Sequence, residues 1–206
     1  MKIIYEDNKD YGFKYVANIP DNISQNPAIL FQLHGAGERG EDLNKVFVHG
    51  LCNVVNDINL TDCILISPLC PENTFWAAKV ESLKTFIDNI IEKYSADKNR
   101  IYLCGLSMGG FGTWYTAMAY PDLFAAIAPC CGGGMPWNAN VLKMPVWAFH
   151  GMLDTTVLPS NTIDMVNALK QHNPNVKCTL YEDVAHNSWT RAFTPELLEW
   201  ILTQHK

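Results

Sequence analysis

The chain has 206 residues, 48% of them hydrophobic, with a formal net charge of −6; that length and composition suit one domain, residues 1–206, with a sizeable core. Acidic and basic residues are interspersed rather than blocked, so there is no basic stripe for a phosphate backbone and nucleic acid is not expected as a partner. No stretch approaches the roughly 20 apolar residues of a membrane span, and the start, MKIIYEDNKD, lacks the apolar run of a secretion signal; a soluble, cytoplasmic protein is expected, although a secreted form without its leader would read the same.

In chain order, IIYED and FKYVANI read as antiparallel strands at one edge of a sheet. NPAILFQLHG and TDCILISPLC follow as short, continuous apolar runs of the kind that form buried parallel strands. Val80, Leu83, Phe86, Ile87, Ile90, Ile91 and Tyr94 then recur at three- and four-residue steps, the apolar face of a long helix. RIYLCGLS is a strand running into a helix of small residues through GTWYTAMAY. FAAIAPCC and MPVWAFHG are further strands. A helix opened by Pro159 carries Ile163, Val166 and Leu169, VKCTLYED is the last strand, and TPELLEWILTQ closes the chain with threonine and proline as start signals. Strand and helix alternate with short connections, so the expected fold is α/β, a mostly parallel central sheet with helices on both faces and no separate lid domain.

Seven cysteines, at 52, 63, 70, 104, 130, 131 and 178, make an odd count, and most lie in apolar strand-like runs. That is the pattern of buried thiols in a reducing compartment. With no paired CxxC arrangement, no metal site and no other cofactor are expected.

Residues 104–112 read CGLSMGGFG and place Ser107 in the turn between a strand and a helix. Flanking residues Gly105 and Gly109 suit so sharp a turn because a Cβ at either would collide with the strand or helix. The turn exposes the Ser107 hydroxyl at a helix start, where the Met108 amide can meet a developing oxyanion. The same pattern also fits a serine that merely caps a helix. A hydroxyl nucleophile needs a base at the same sheet edge. Of six histidines, His49 and His172 lie in helical or solvent-like contexts, His205 is in the tail, and His34 and His150 precede glycine at strand ends. His186, in EDVAHNSW, falls in the loop between the last strand and the final helix, where the serine turn opens. Asp154, in HGMLDTTVLP after the preceding strand, is the acid favoured to orient it, over Asp183 in the histidine's own loop and Asp164 within a helix. A second oxyanion donor is expected from LHGAGERG, with the amide of Ala36 first and that of Gly37 next. A phosphate loop is the competing reading of that stretch, but no GKS or GKT follows. His34 is a candidate for holding this loop or lining the substrate site.

LHGAGERG, GLSMGGFGTW, FHGMLDTTVLP and HNSW, in this order with sheet elements between them, resemble the α/β-hydrolase fold. They are most similar to its compact phospholipase/carboxylesterase group, which includes small esterases, predicted peptidases and feruloyl or polyhydroxybutyrate-type esterases. The resemblance covers about residues 28–206. It implies Ser107 as nucleophile, His186 as base, Asp154 as orienter, and an oxyanion hole from the Met108 and Ala36 amides, while leaving the substrate unspecified. A related subgroup carries cysteine at the nucleophile position; with serine here, thiol chemistry of that kind is not expected.

Trp76, Trp137 and Trp189 fall in loops at the expected catalytic edge and are candidates to line a cleft. Aromatic walls without a lid favour a small-molecule ester with a short-chain or aromatic acyl group, sugar-linked esters among them. The same triad serves a peptidase or thioesterase, and a binding protein that kept the fold without catalysis is the alternative from another class.

Overall fold

The structure is a computed structural model that describes residues 1–7, 9–54 and 60–206. Its strands are β1 (Lys2–Glu6), β2 (Tyr15–Ile19), β3 (Ala28–Leu33), β4 (Cys63–Pro68), β5 (Ile101–Leu106), β6 (Ala126–Cys130), β7 (Val146–Gly151) and β8 (Val176–Tyr181). Its helices are α1 (Leu51–Val54), α2 (Val80–Lys93), α3 (Met108–Ala119), α4 (Ser160–Lys170), α5 (Trp189–Ala192) and α6 (Pro195–Leu202). The strands form one sheet in the order β1-β2-β4-β3-β5-β6-β7-β8. The β1–β2 and β2–β4 pairs are antiparallel, and every pair from β4 to β8 is parallel. The α/β fold with an antiparallel edge is the one expected from the alternating runs.

Helices cover both faces, which is why the central strands are apolar throughout rather than alternating. Ile29, Phe31 and Leu33 of β3 pack in one core with Leu83 and Phe86 of α2, Trp114 of α3 and Met165 of α4. Ala28 and Leu30 of the same strand belong to a second core with Leu51 of α1 and Leu197 and Ile201 of α6. The α2 stripe buries Leu83, Phe86, Ile87, Ile90 and Ile91, each fully buried side chain of this kind contributing about 1.5–3 kcal/mol.

One connection departs from the expected brevity. Between β3 and β4 the chain makes single 3₁₀ turns at Ala36–Glu38 and Leu43–Phe47 before α1, elements with too few residues to show a period. The described residues form no separate lid domain. Among the described residues no helix is long and apolar enough to cross a membrane. Because β3 to β8 run in parallel, the loops after β3, β5, β6, β7 and β8 all leave from one edge of the sheet, the usual place for a site in such a fold.

Candidate active site

Ser107 stands between β5 and α3 with φ 53° and ψ −116°, a left-handed conformation that costs a residue with a β-carbon on the order of 1–3 kcal/mol. The surroundings hold it there. Ser107 N–H donates to the Cys130 carbonyl at 2.9 Å, and the Ser107 carbonyl accepts from Phe111 N–H at 3.0 Å. The neighbouring glycines answer to crowding, as the sequence pattern implies. A Cβ on Gly105 would run into the Gly109 carbonyl and stand 2.8 Å from Thr113 Oγ1. One on Gly109 would strike the Leu33 carbonyl, and one on Gly110 that of Cys130. The first turn of α3 therefore lies directly on the ends of β3 and β6.

Ser107 Oγ is 2.8 Å from His186 Nε2, and His186 Nδ1 is 2.7 Å from Asp154 Oδ2. A carboxylate only accepts, so Nδ1 carries the ring proton and Nε2 is left to accept the serine hydroxyl. Asp154 is 2% exposed, and its Oδ1 accepts N–H bonds from Thr156 and Val157, both at 2.9 Å. Burial alone would raise its carboxyl; the His186 hydrogen bond and the two amides outweigh burial and hold it below the usual 3.8. The loops carrying acid and base are fastened together. Met152 N–H donates to Tyr181 O at 2.8 Å and Leu153 N–H to Val184 O at 2.9 Å, and any Cβ on Gly151 would collide with the Ala185 and Val184 carbonyls. A hydroxyl so aligned can pass its proton to the imidazole as it attacks an electrophile.

The Met108 amide opens α3 and the Ala36 amide opens the 3₁₀ turn after β3, positions whose N–H groups have no preceding helical carbonyl. Ala36 and Gly37 are exposed. Gly35 is the glycine that crowding demands: its Cβ would stand 2.9 Å from Leu106 Cδ1 and 3.8 Å from Ser107 Cβ, whereas one on Gly37 would meet nothing within 4 Å.

Two residues expected to line the substrate site are not available to do so. Trp76 is fully buried; its Nε1–H donates to the His34 carbonyl at 3.0 Å, and its ring fills the core beneath the loop. His34 is 1% exposed. Its Nδ1–H donates to Gly35 O at 2.6 Å and its Nε2 accepts from Cys70 N–H at 2.9 Å, so it braces the loop, and burial lowers its pKa to about 4. Trp137 and Trp189 lie differently. Trp137, after β6, is 81% exposed, and the Trp189 ring stands edge-on to His186 with centroids 5.4 Å apart.

Three further residues approach the site without a motif to announce them. His49 packs on Trp189 at 5.2 Å. Glu38 is 5% exposed, with His34 Nδ1 at 3.8 Å and His49 Nε2 at 3.7 Å. His150 is fully buried beside Asp154. Each is a polar residue in an apolar run or irregular loop, and only the fold reveals its neighbours. The cysteines are all free and, Cys178 apart, buried.

In sequence the chain is similar to poly(3-hydroxyalkanoate) depolymerase C of Paucimonas lemoignei, 46% identical over 125 residues that cover 45% of this chain and 30% of the depolymerase. It is also similar to feruloyl esterase B of Neurospora crassa, 28% identical over 130 residues, covering 55% of this chain and 42% of that protein. It thus spans less than half the length of either relative. Among solved structures, a thermostable esterase superposes on all of this chain and 63% of its own, with TM-score 0.84 and 29% identity. The feruloyl esterase module from Clostridium thermocellum shares the fold at TM-score 0.78 and 18% identity, covering 98% of this chain and 88% of the module. The sequence profile of the phospholipase/carboxylesterase family matches residues 72–201, a span that includes Ser107, Asp154 and His186, and the chain belongs to that family.

Proposed function

We propose that this chain is a serine carboxylesterase. The observation that carries the reading is the unbroken relay from Ser107 Oγ to His186 at 2.8 Å and from His186 to Asp154 at 2.7 Å, on a half-buried serine held in a strained turn. Ser107 Oγ attacks the ester carbonyl while His186 Nε2 takes its proton, and Asp154 steadies the imidazolium. The tetrahedral oxyanion is met by the Met108 amide and that of Ala36, with Gly37 next to it. Collapse breaks the carbon–oxygen bond to the alcohol, which leaves with the proton from His186. Water then hydrolyses the acyl-enzyme by the same route.

The substrate class is short-chain or aromatic acyl esters, including those on carbohydrates. Its support is the exposed Trp137 ring and the Trp189 ring beside the base, together with the names of the relatives, feruloyl esterase among them. The test is fluorophosphonate labelling of the wild type and of Ser107→Ala, followed by turnover of p-nitrophenyl acetate and butyrate, methyl ferulate and an aminoacyl anilide. Labelling that requires Ser107, with esters turned over faster than the anilide, is expected. Preference for the anilide would make the protein a peptidase, and labelling that survives the substitution would remove Ser107 from the chemistry.

A further inference from the structure

His150 lies near the end of β7 and is completely buried. Its Nε2 is 2.9 Å from the Val157 carbonyl and 3.2 Å from Asp154 Oδ2. Both partners only accept, so that nitrogen carries a proton and shares it between them. On the other side of the ring, Nδ1 is 2.7 Å from Thr162 Oγ1, and the same hydroxyl is 2.8 Å from the Gly132 carbonyl. One imidazole therefore touches the first turn of α4, the loop after β7 and the acid of the triad.

We infer that His150 is a positioning residue, a second imidazole on Asp154 that sets the direction of the carboxylate toward His186. This rests on the esterase reading above. The reasoning is geometric. Asp154 Oδ1 is held by Thr156 and Val157, amides of the same turn that the aspartate itself opens, so those bonds travel with the loop if it swings. His150 is anchored on β7, a strand paired on both sides, with β6 and β8, and its single N–H restrains both Asp154 Oδ2 and the backbone of that loop at Val157. Removing it frees the carboxylate to rotate about its own turn while leaving the His186 contact possible. The His186 tautomer and its alignment with Ser107 are then held less often, a loss felt in the chemical step rather than in substrate binding.

Two substitutions separate this role from a structural one. Asn in place of His150 keeps a polar group near Thr162 but is too short to reach Asp154; Gln extends a donor toward the position of Nε2. Active sites are counted by stoichiometric fluorophosphonate labelling so that misfolded protein does not enter kcat. His150→Asn is expected to lower kcat for p-nitrophenyl acetate about 10- to 100-fold, the size of a lost hydrogen bond to a charged group, with KM within about twofold of wild type. His150→Gln is expected to recover most of that loss. In an Asp154→Asn background, His150→Asn should add no further loss, because the group it positions is gone. Wild-type kcat per labelled site in His150→Asn, equal losses in Asn and Gln, or additive losses with Asp154→Asn would each overturn the assignment. If neither variant folds, Thr162→Val with Asp154→Asn repeats the cycle: loss of the ring's brace is expected to lower kcat in the wild-type background and not in Asp154→Asn, and additive effects overturn the inference. A wild-type protein that turns over no ester, by contrast, defeats the esterase reading itself.

Discussion

Arg191 grips both carboxylate oxygens of Asp183, at 2.6 and 2.9 Å, and holds that acid at the surface. Asp183 is close to His186 in sequence and was the rival for the third member of the triad, yet His186 Nδ1 is bonded to Asp154, 32 residues away. Asp154→Asn is therefore predicted to lower kcat on the order of 10⁴-fold, the loss known when an orienting acid becomes an amide. Asp183→Asn is predicted to leave kcat within about twofold, since exposed ion pairs contribute little. Steady-state kinetics of the two variants on p-nitrophenyl butyrate decide; a greater loss in Asp183→Asn would reassign the acid.

Ser107 is predicted to trade stability for exposure. With φ at 53°, replacement by alanine removes the hydroxyl and keeps the strain, whereas glycine removes both. Hydrolysis should vanish in each variant. Ser107→Gly should melt above Ser107→Ala by a few degrees, about the effect of 1 kcal/mol in a domain of this size. Scanning calorimetry checks this, and equal melting temperatures would mean that the turn stores no strain.

His34 predicts an acid-labile step in stability. An unfolded histidine titrates near about 6.5, while the buried ring of His34 titrates at about 4, so the unfolded chain binds the extra proton between these values. The contribution is fully present above the unfolded value and drains away as pH falls toward 4, to a total on the order of 3 kcal/mol. Asp154, held below 3.8, loses its own contribution only in more acidic solution. Urea midpoints between pH 7.5 and 4.5 should fall in the wild type and fall less in His34→Gln; parallel slopes would contradict the assignment.

The tryptophans should part company. Trp137, 81% exposed, is predicted to raise KM for methyl ferulate on substitution by alanine more than for an acetyl ester, by the ~1 kcal/mol an aromatic pair adds beyond burial, with no change in melting. Trp76→Ala should instead destabilise by about 3–5 kcal/mol and weaken both substrates alike. Kinetics paired with thermal melts distinguish them, and a melting loss in Trp137→Ala would make it a packing residue.

The strands and the long helix could be read from the sequence because burial on both faces leaves a continuous apolar run and an amphipathic helix leaves a period. The meeting of Ser107, Asp154 and His186 was legible for a related reason: glycines at 105 and 109 mark the turn, and Asp154 and His186 each follow a recognisable strand. The roles of His150 and Trp76 were hidden, and for His34 holding the loop and lining the site read alike. Each sits beside residues as apolar or as glycine-rich as those around a surface site, and what decides its role is a partner 36, 12 or 42 positions away. The 3₁₀ turns after β3 were invisible because three to five residues carry no periodicity.

β8 is the outermost strand on its side of the sheet and pairs with β7 alone, and its side chains are half-buried or exposed where those of β3 to β7 are buried. Local opening in proteins starts at such poorly covered margins, well below the energy of global unfolding. The loop that follows β8 carries His186, fastened to the end of β7 by two backbone hydrogen bonds. A brief peeling of this one strand therefore carries His186 away from Ser107 while the remaining sheet stands. The proposed turnover is consequently a gauge of the sheet's margin, expected to fall with heat or denaturant in a range where circular dichroism still reports an intact fold.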